Sequence, residues 1–145
     1  MNSINKTARI LEDVKINVKT KLSALWAALM FLYIYGDLTT FYKPGMINEI
    51  IAGKMGPLGP TTQVVLLGSA IFMAIPGVMV FLSLTLKPKA NRWANIILGI
   101  LYTVVMLITM LMPGSWAYYI FLGIVEIVLT VLIVWYAWKW PKQEA

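Results

Sequence analysis

Trp116 to Trp138, WAYYIFLGIVEIVLTVLIVWYAW, is 23 residues long and carries a single charge, Glu126, near its middle. As a helix it would extend roughly 35 Å at 1.5 Å per residue, enough to cross a hydrocarbon core of about 30 Å. Aromatic residues crowd both ends: Trp116, Tyr118 and Tyr119 at one, Trp135, Tyr136, Trp138 and Trp140 at the other. Such side chains settle at the two membrane–water interfaces. A central carboxylate costs about 2.5–3.5 kcal/mol to insert, and each Leu, Ile, Val or Phe returns about 0.3–0.6 kcal/mol. The stretch holds more than ten of these residues. It is predicted to span a membrane.

The composition agrees. The 145 residues are 60% hydrophobic and 12% charged, against about 25% charged in soluble domains. That length suits one bundle of a few spanning helices without a separate soluble domain. Cys and His are absent, which removes disulfides, thiolate nucleophiles, Cys or His metal sites and imidazole acid–base chemistry. The net charge of +6 does not point to nucleic acid, because the basic residues flank apolar runs and form no basic–aromatic strip.

Three further spans precede this one, at about 22–41, 61–86 and 93–112, the last span being 116–138. Asp37 lies inside the first, about a turn short of its Lys43-Pro44-Gly45 exit, and Pro76-Gly77 interrupts the second. A mid-helix proline frees one carbonyl and bends the helix, so Pro76 and Gly77 are the expected hinge. The 43–60 loop holds Met46, Ile47, Ile50, Ile51 and Met55 at helical spacing, which predicts a short surface helix near 46–55. Residues 1–21 place Ile10 or Leu11, Val14, Val18 and Leu22 on one helical face, so an interfacial helix is expected there. The alternation from Val14 to Lys19 also reads as a strand. A signal peptide is not expected, since no small-residue cleavage site follows the apolar run.

Ten Lys and Arg fall in the N-terminal segment, the 87–92 loop and the 139–145 tail, and two fall in the 43–60 loop. The positive-inside rule then places both termini in the cytoplasm. The expected fold is an all-α, up-down bundle of four transmembrane helices.

An ionisable residue at bilayer depth is a functional-site candidate by default. Counting symmetrically from the turn near Gly114 sets Tyr102 and Thr103 at the depth of Glu126. Asn95, Gly99 and Thr103 share a face, and Gly99-x-x-x-Thr103 permits close helix approach. Glu126 is therefore expected to face the third span, with Tyr102 or Thr103 as its hydrogen-bond partner. It could equally be a neutral, hydrogen-bonded packing element. Asp37 reads either as a satisfied helix-end acid or as the mouth of a polar path towards Glu126, with Ser69 near its level. The other aromatics read as anchors or packing and the nine Met residues as adaptable packing. No nucleotide, metalloprotease, nucleophile-elbow or CxxC motif occurs.

The runs LEDVKINVKTKLSALWA, FLYIYGD, IIAGKMGP, AIPGVMVFLSLTLKPKANRWANIILGILYT and WAYYIFLGIVEIVLTVLIVWYAWKWPKQE resemble a family of unknown function found in short bacterial four-helix membrane proteins. The resemblance implies the fold and a bacterial inner-membrane location, and no activity. A looser likeness to the DoxX-like group rests on hydropathy and transfers no residue.

Three functions remain open. The leading one is a small bundle that binds or transports a proton, cation or small polar ligand at Glu126, with Asp37, Tyr102, Thr103, Asn95 and Ser69 as further candidates. A non-catalytic membrane subunit or scaffold is the second. A lipid or quinone enzyme is the remote third, because one carboxylate without His leaves little acid–base equipment. The expectation is a non-enzyme without catalytic residues, metal or cofactor, in contact with membrane lipid and able to form a homo-oligomer, with no nucleic-acid partner.

Overall fold

The computed structural model describes residues 13–141. Its main elements are α1 (Val18–Phe41), the short α2 (Met46–Ile51), α3 (Gln63–Thr85), α4 (Pro88–Met110) and α5 (Ala117–Trp138). Among the described residues, four helices (α1, α3, α4 and α5) are long and apolar enough to cross a membrane, as in a multi-pass membrane protein. Phe31, Leu67, Phe81, Ile97, Ile108 and Phe121 are among the many large apolar residues left exposed. The outward surface of the long helices is thus largely apolar.

The helix ends follow local chemistry. Asn17 caps α1, its Oδ1 accepting from Lys19 N–H at 2.8 Å. Thr62 caps α3 through Val65 N–H. Pro88 opens α4 at a position that needs no N–H, so α4 begins five residues before the span expected from Trp93. Lys19 Nζ reaches across to the carbonyls of Leu84 (3.2 Å) and Leu86 (2.8 Å), satisfying the end of α3.

Two expectations about the flanks are corrected. Residues 13–17 are not helical, and Val14 and Ile16 are exposed. Asn17 takes the capping role, so the apolar spacing that reaches back to Val14 does not become helix. The remainder of the expected amphipathic segment, residues 1–12, lies outside the described residues. The surface helix ends at Ile51 rather than near residue 55. Gly53 adopts a φ of 72°, a left-handed conformation that ends a helical run, and a single 3₁₀ turn follows at Gly56–Leu58.

α1 packs between α3 and α5, and α4 packs along α5 with a lighter contact to α3. Ser23 Oγ donates to Val80 O at 2.7 Å between α1 and α3, and Thr40 meets Tyr118 at 3.0 Å between α1 and α5. Both pairs run antiparallel. α4 and α5 approach closely at Gly99. A Cβ there would stand 2.7 Å from Val134 Cγ2 and 3.3 Å from Thr130 O. Thr103 Oγ1 donates to Thr130 Oγ1 at 2.7 Å one turn further along.

The proline in α3 is answered directly. Pro76 cannot donate to the carbonyl of Phe72, four residues back. The hydroxyl of Tyr102 donates to that same carbonyl, while its ring packs against Phe72, Trp26 and Tyr33. Tyr102 is 1% exposed. α3 remains one continuous helix through Pro76, the position at which a hinge is expected from the sequence.

Tyr102→Phe is expected to cost about 1–2 kcal/mol by leaving the Phe72 carbonyl unpaired. Pro76→Ala restores the missing N–H, so Tyr102→Phe should cost less in that background. A double-mutant cycle of unfolding in detergent measures this coupling, and strictly additive effects would contradict it. Gly99→Ala is expected to destabilise by about 1–3 kcal/mol through overpacking. Gly123→Ala should cost less, because the nearest atoms to its Cβ belong to the flexible, unbranched side chains of Met106 and Met110 rather than to a branched side chain and backbone. The same unfolding measurement ranks the pair.

Candidate functional site

Among the described residues six polar or charged side chains are buried: Ser23, Ser83, Asn91, Asn95, Glu126 and Thr130. Hydrocarbon supplies no hydrogen bonds, so each needs a partner from the protein. Asn95 Oδ1 accepts from Trp26 Nε1 at 2.7 Å and from Ser83 Oγ at 3.4 Å. Its Nδ2 donates to Asn91 O at 2.9 Å and to Asn91 Oδ1 at 2.7 Å. Asn91 Nδ2 donates to Ser83 O at 2.6 Å. This network ties α1, α3 and α4 together at the end of the bundle that carries Val18, Thr85 and Trp138. Ser23 has Val80 O, and Thr130 Oγ1 donates to Glu126 O and Ile127 O, both at 3.1 Å.

Glu126 differs from the other five. It is 5% exposed, yet its carboxyl makes no side-chain hydrogen bond among the described residues. Arg92 Nε is the sole fully enclosed, unpartnered side-chain nitrogen or oxygen among them. The Glu126 oxygens therefore keep a small residual access.

The expected partners of Glu126 are employed elsewhere. Tyr102 serves the Phe72 carbonyl, and Thr103 donates to Gly99 O and to Thr130. The α4–α5 register explains the correction. The Thr103–Thr130 pair lies a turn below Glu126 on α5, and Met106 and Met110 pack around Gly123. Counting along both helices from that pair places Met106, rather than Tyr102, at the depth of Glu126. Asn95 belongs to the buried network about three turns from this level.

The polar company of Glu126 comes from α1. Asp37 and Tyr33 lie within electrostatic range of Glu126, and Tyr119 lies within range of Tyr33. Tyr33 and Asp37 are four residues apart on α1 and so share a face. The α1–α5 register, given by Thr40 with Tyr118 and Gly36 beside Leu122, sets Tyr33 level with Glu126. Asp37 stands about one turn nearer the end that carries α2 and is exposed. Counting seven residues from the Met30–Gly77 contact puts Asp37 opposite Ala70, beside the half-buried Ser69. In the other direction Tyr102, Trp26 and Leu29, all at most 1% exposed, close the centre of the bundle.

The structure therefore groups Glu126, Tyr33 and Asp37, with Tyr119 nearby, and assigns Tyr102, Thr103 and Asn95 to helix packing. Tyr33 and Tyr119 are absent from the sequence-based candidates, although the Tyr33-x-x-x-Asp37 spacing places that tyrosine beneath the acid. Among the described residues there is no group of three or more His, Cys, Asp or Glu side chains able to hold a metal ion. Among the described residues Lys and Arg lie near the helix ends and in the loops, and none of them pairs with Glu126.

No curated protein and no solved structure matches the chain significantly. A family model described as "Family of unknown function (DUF6326)" matches residues 9–145, and the chain belongs to that family.

Proposed function

We propose that this bundle binds a proton, or a small monovalent cation in its place, at Glu126, reached past Asp37 from the end that carries α2. The observation that carries the reading is the missing partner: of the six polar side chains buried among the described residues, five are hydrogen-bonded inside the bundle, and the carboxyl of the sixth, Glu126, has no side-chain hydrogen bond among them. Leaving a charged group unpaired at bilayer depth is costly. A carboxylate with no basic neighbour meets that cost by holding a proton or a cation. Divalent calcium prefers six to eight oxygen ligands, which one buried acid, one exposed acid and two tyrosines do not supply. A proton needs one acceptor.

The positive-inside count of Lys and Arg puts the α2 end outside and both termini in the cytoplasm. In that orientation Asp37 stands at the outer mouth, and Tyr33 lies one turn further in, level with Glu126. The closed centre at Tyr102, Trp26 and Leu29 makes the site one-sided, so transport would require α1 to move relative to α3 or α4. A second copy packed against α1 would wall in the exposed Asp37. The reading is non-enzymatic, and the hydrogen-bonded network around Asn95 serves as the scaffold that holds the helices in register.

Infrared difference spectra of the reconstituted protein across a pH titration test the site. Wild type is expected to show a protonated-carboxyl band that titrates and that Glu126→Gln removes while the helical signal is retained. Identical bands in wild type and Glu126→Gln would refute the proposal. Asp37→Asn should keep the Glu126 band yet slow proton uptake after a pH jump by several-fold, read with a pH-sensitive dye inside vesicles. An unchanged rate would remove Asp37 from the path.

A further inference from the structure

A second feature, independent of Glu126, lies at the opposite end of the bundle on the seam between α4 and α5. An outward-facing groove of about 320 Å³ is lined by Ile100, Thr103, Val131, Val134, Trp135 and Trp138. It runs from mid-helix to the last residue of α5. At that end the Arg92 guanidinium sits 5.8 Å from the centre of the Trp138 ring, and Arg92 Nη2 donates to Trp138 O at 3.4 Å. Past Arg92 a second recess, of about 330 Å³, is lined by Pro88, Lys89, Arg92, Trp93 and Trp140. An apolar slot is thus joined, through the Arg92–Trp138 pair, to a basic and aromatic recess.

We propose that this seam binds an anionic phospholipid, with an acyl chain along the groove and the phosphate between Lys89 and Arg92. The groove offers almost only hydrocarbon, the right lining for an acyl chain. Basic pockets between helices near a membrane surface favour acidic headgroups, and a guanidinium fork matches phosphate geometry. Arg92 is not saturated: Nη2 is used on Trp138 O, but Nε has no partner among the described residues. A swing of this long side chain towards the recess would present Nε to a phosphate oxygen. The first turn of α4, beginning at Pro88, adds its free N–H groups to the positive potential. A zwitterionic headgroup would bring its own cation against Lys89, whereas an acidic one would not. Trp93 and Trp140 complete an interfacial rim around the headgroup.

The test uses the delipidated full chain, with phosphatidylglycerol and phosphatidylcholine of identical acyl chains, read by native mass spectrometry and by thermal unfolding in detergent. Phosphatidylglycerol is expected to be retained preferentially. Arg92→Gln and Lys89→Gln should each lower its retention roughly fivefold, the loss expected for one basic side chain at an acidic membrane surface. Val131→Trp, which fills the groove, should lower it as well. Lys43→Gln is the control, because Lys43 stacks over Trp116 (5.5 Å) at the other end of the bundle and should change nothing. Lys89→Gln leaves the Arg92–Trp138 contact in place, so it decides the matter should Arg92→Gln fold poorly. Equal retention of the two lipids would overturn the proposal, as would an equal loss in Lys43→Gln. Stabilisation by glycerol phosphate alone, matching that of the whole lipid, would show a free-phosphate site and overturn it too.

Discussion

Hydrocarbon offers no hydrogen bonds, and that constraint orders the interior of this bundle. Every polar group taken inside must be answered by another part of the protein. The clearest answer is Tyr102. Pro76 leaves the Phe72 carbonyl without its helical donor, and a hydroxyl from α4 supplies the bond. The same side chain fills the centre with its ring, against Trp26, Tyr33 and Phe72. One residue thereby repairs the helix and closes the core. The Trp26–Asn95–Asn91–Ser83 network meets the same demand nearer the basic end.

Against that background Glu126 is an exception with consequences. Its backbone carbonyl is bonded by Thr130, so the helix around it is in order, and its isolation belongs to the side chain alone. The one acid and two tyrosines around it, Asp37, Tyr33 and Tyr119, come from α1 and α5, and they lead towards one end of the bundle. Ion and proton sites in membrane proteins commonly spend stability in this way, leaving a costly group available for a ligand that neutralises it.

Much of the architecture was legible in the sequence. Apolar runs of spanning length, broken by Pro44-Gly45, Gly56-Pro57, Lys87-Pro88 and Pro113-Gly114, mark the four long helices, and the single charge in the last run marks Glu126. Side-chain partnership was not legible to the same degree. A symmetric count from the Gly114 turn missed by one helical turn, because the α4–α5 register is set by Gly99 against Val134 and by Thr103 against Thr130. Those contacts depend on shape rather than on periodicity. Trp26 looked like one of many aromatic anchors, yet it is fully buried and bonded to Asn95. The N-terminal spacing continued the helical phase of Leu22 and Trp26 backwards and outweighed the one local stop signal, Asn17, a favoured N-cap residue.

The central claim is that Glu126 is open to a proton or small cation from the α2 end and closed to the other. The chain contains no cysteine, so Glu126→Cys introduces its sole thiol at the site. Silver ion, itself a small monovalent cation, can be applied to oriented vesicles from either side, and the thiols left free can be counted with a dye after denaturation. The account predicts rapid protection by silver added at the α2 end and none from the basic end. Protection from neither side, or equally from both, would contradict it.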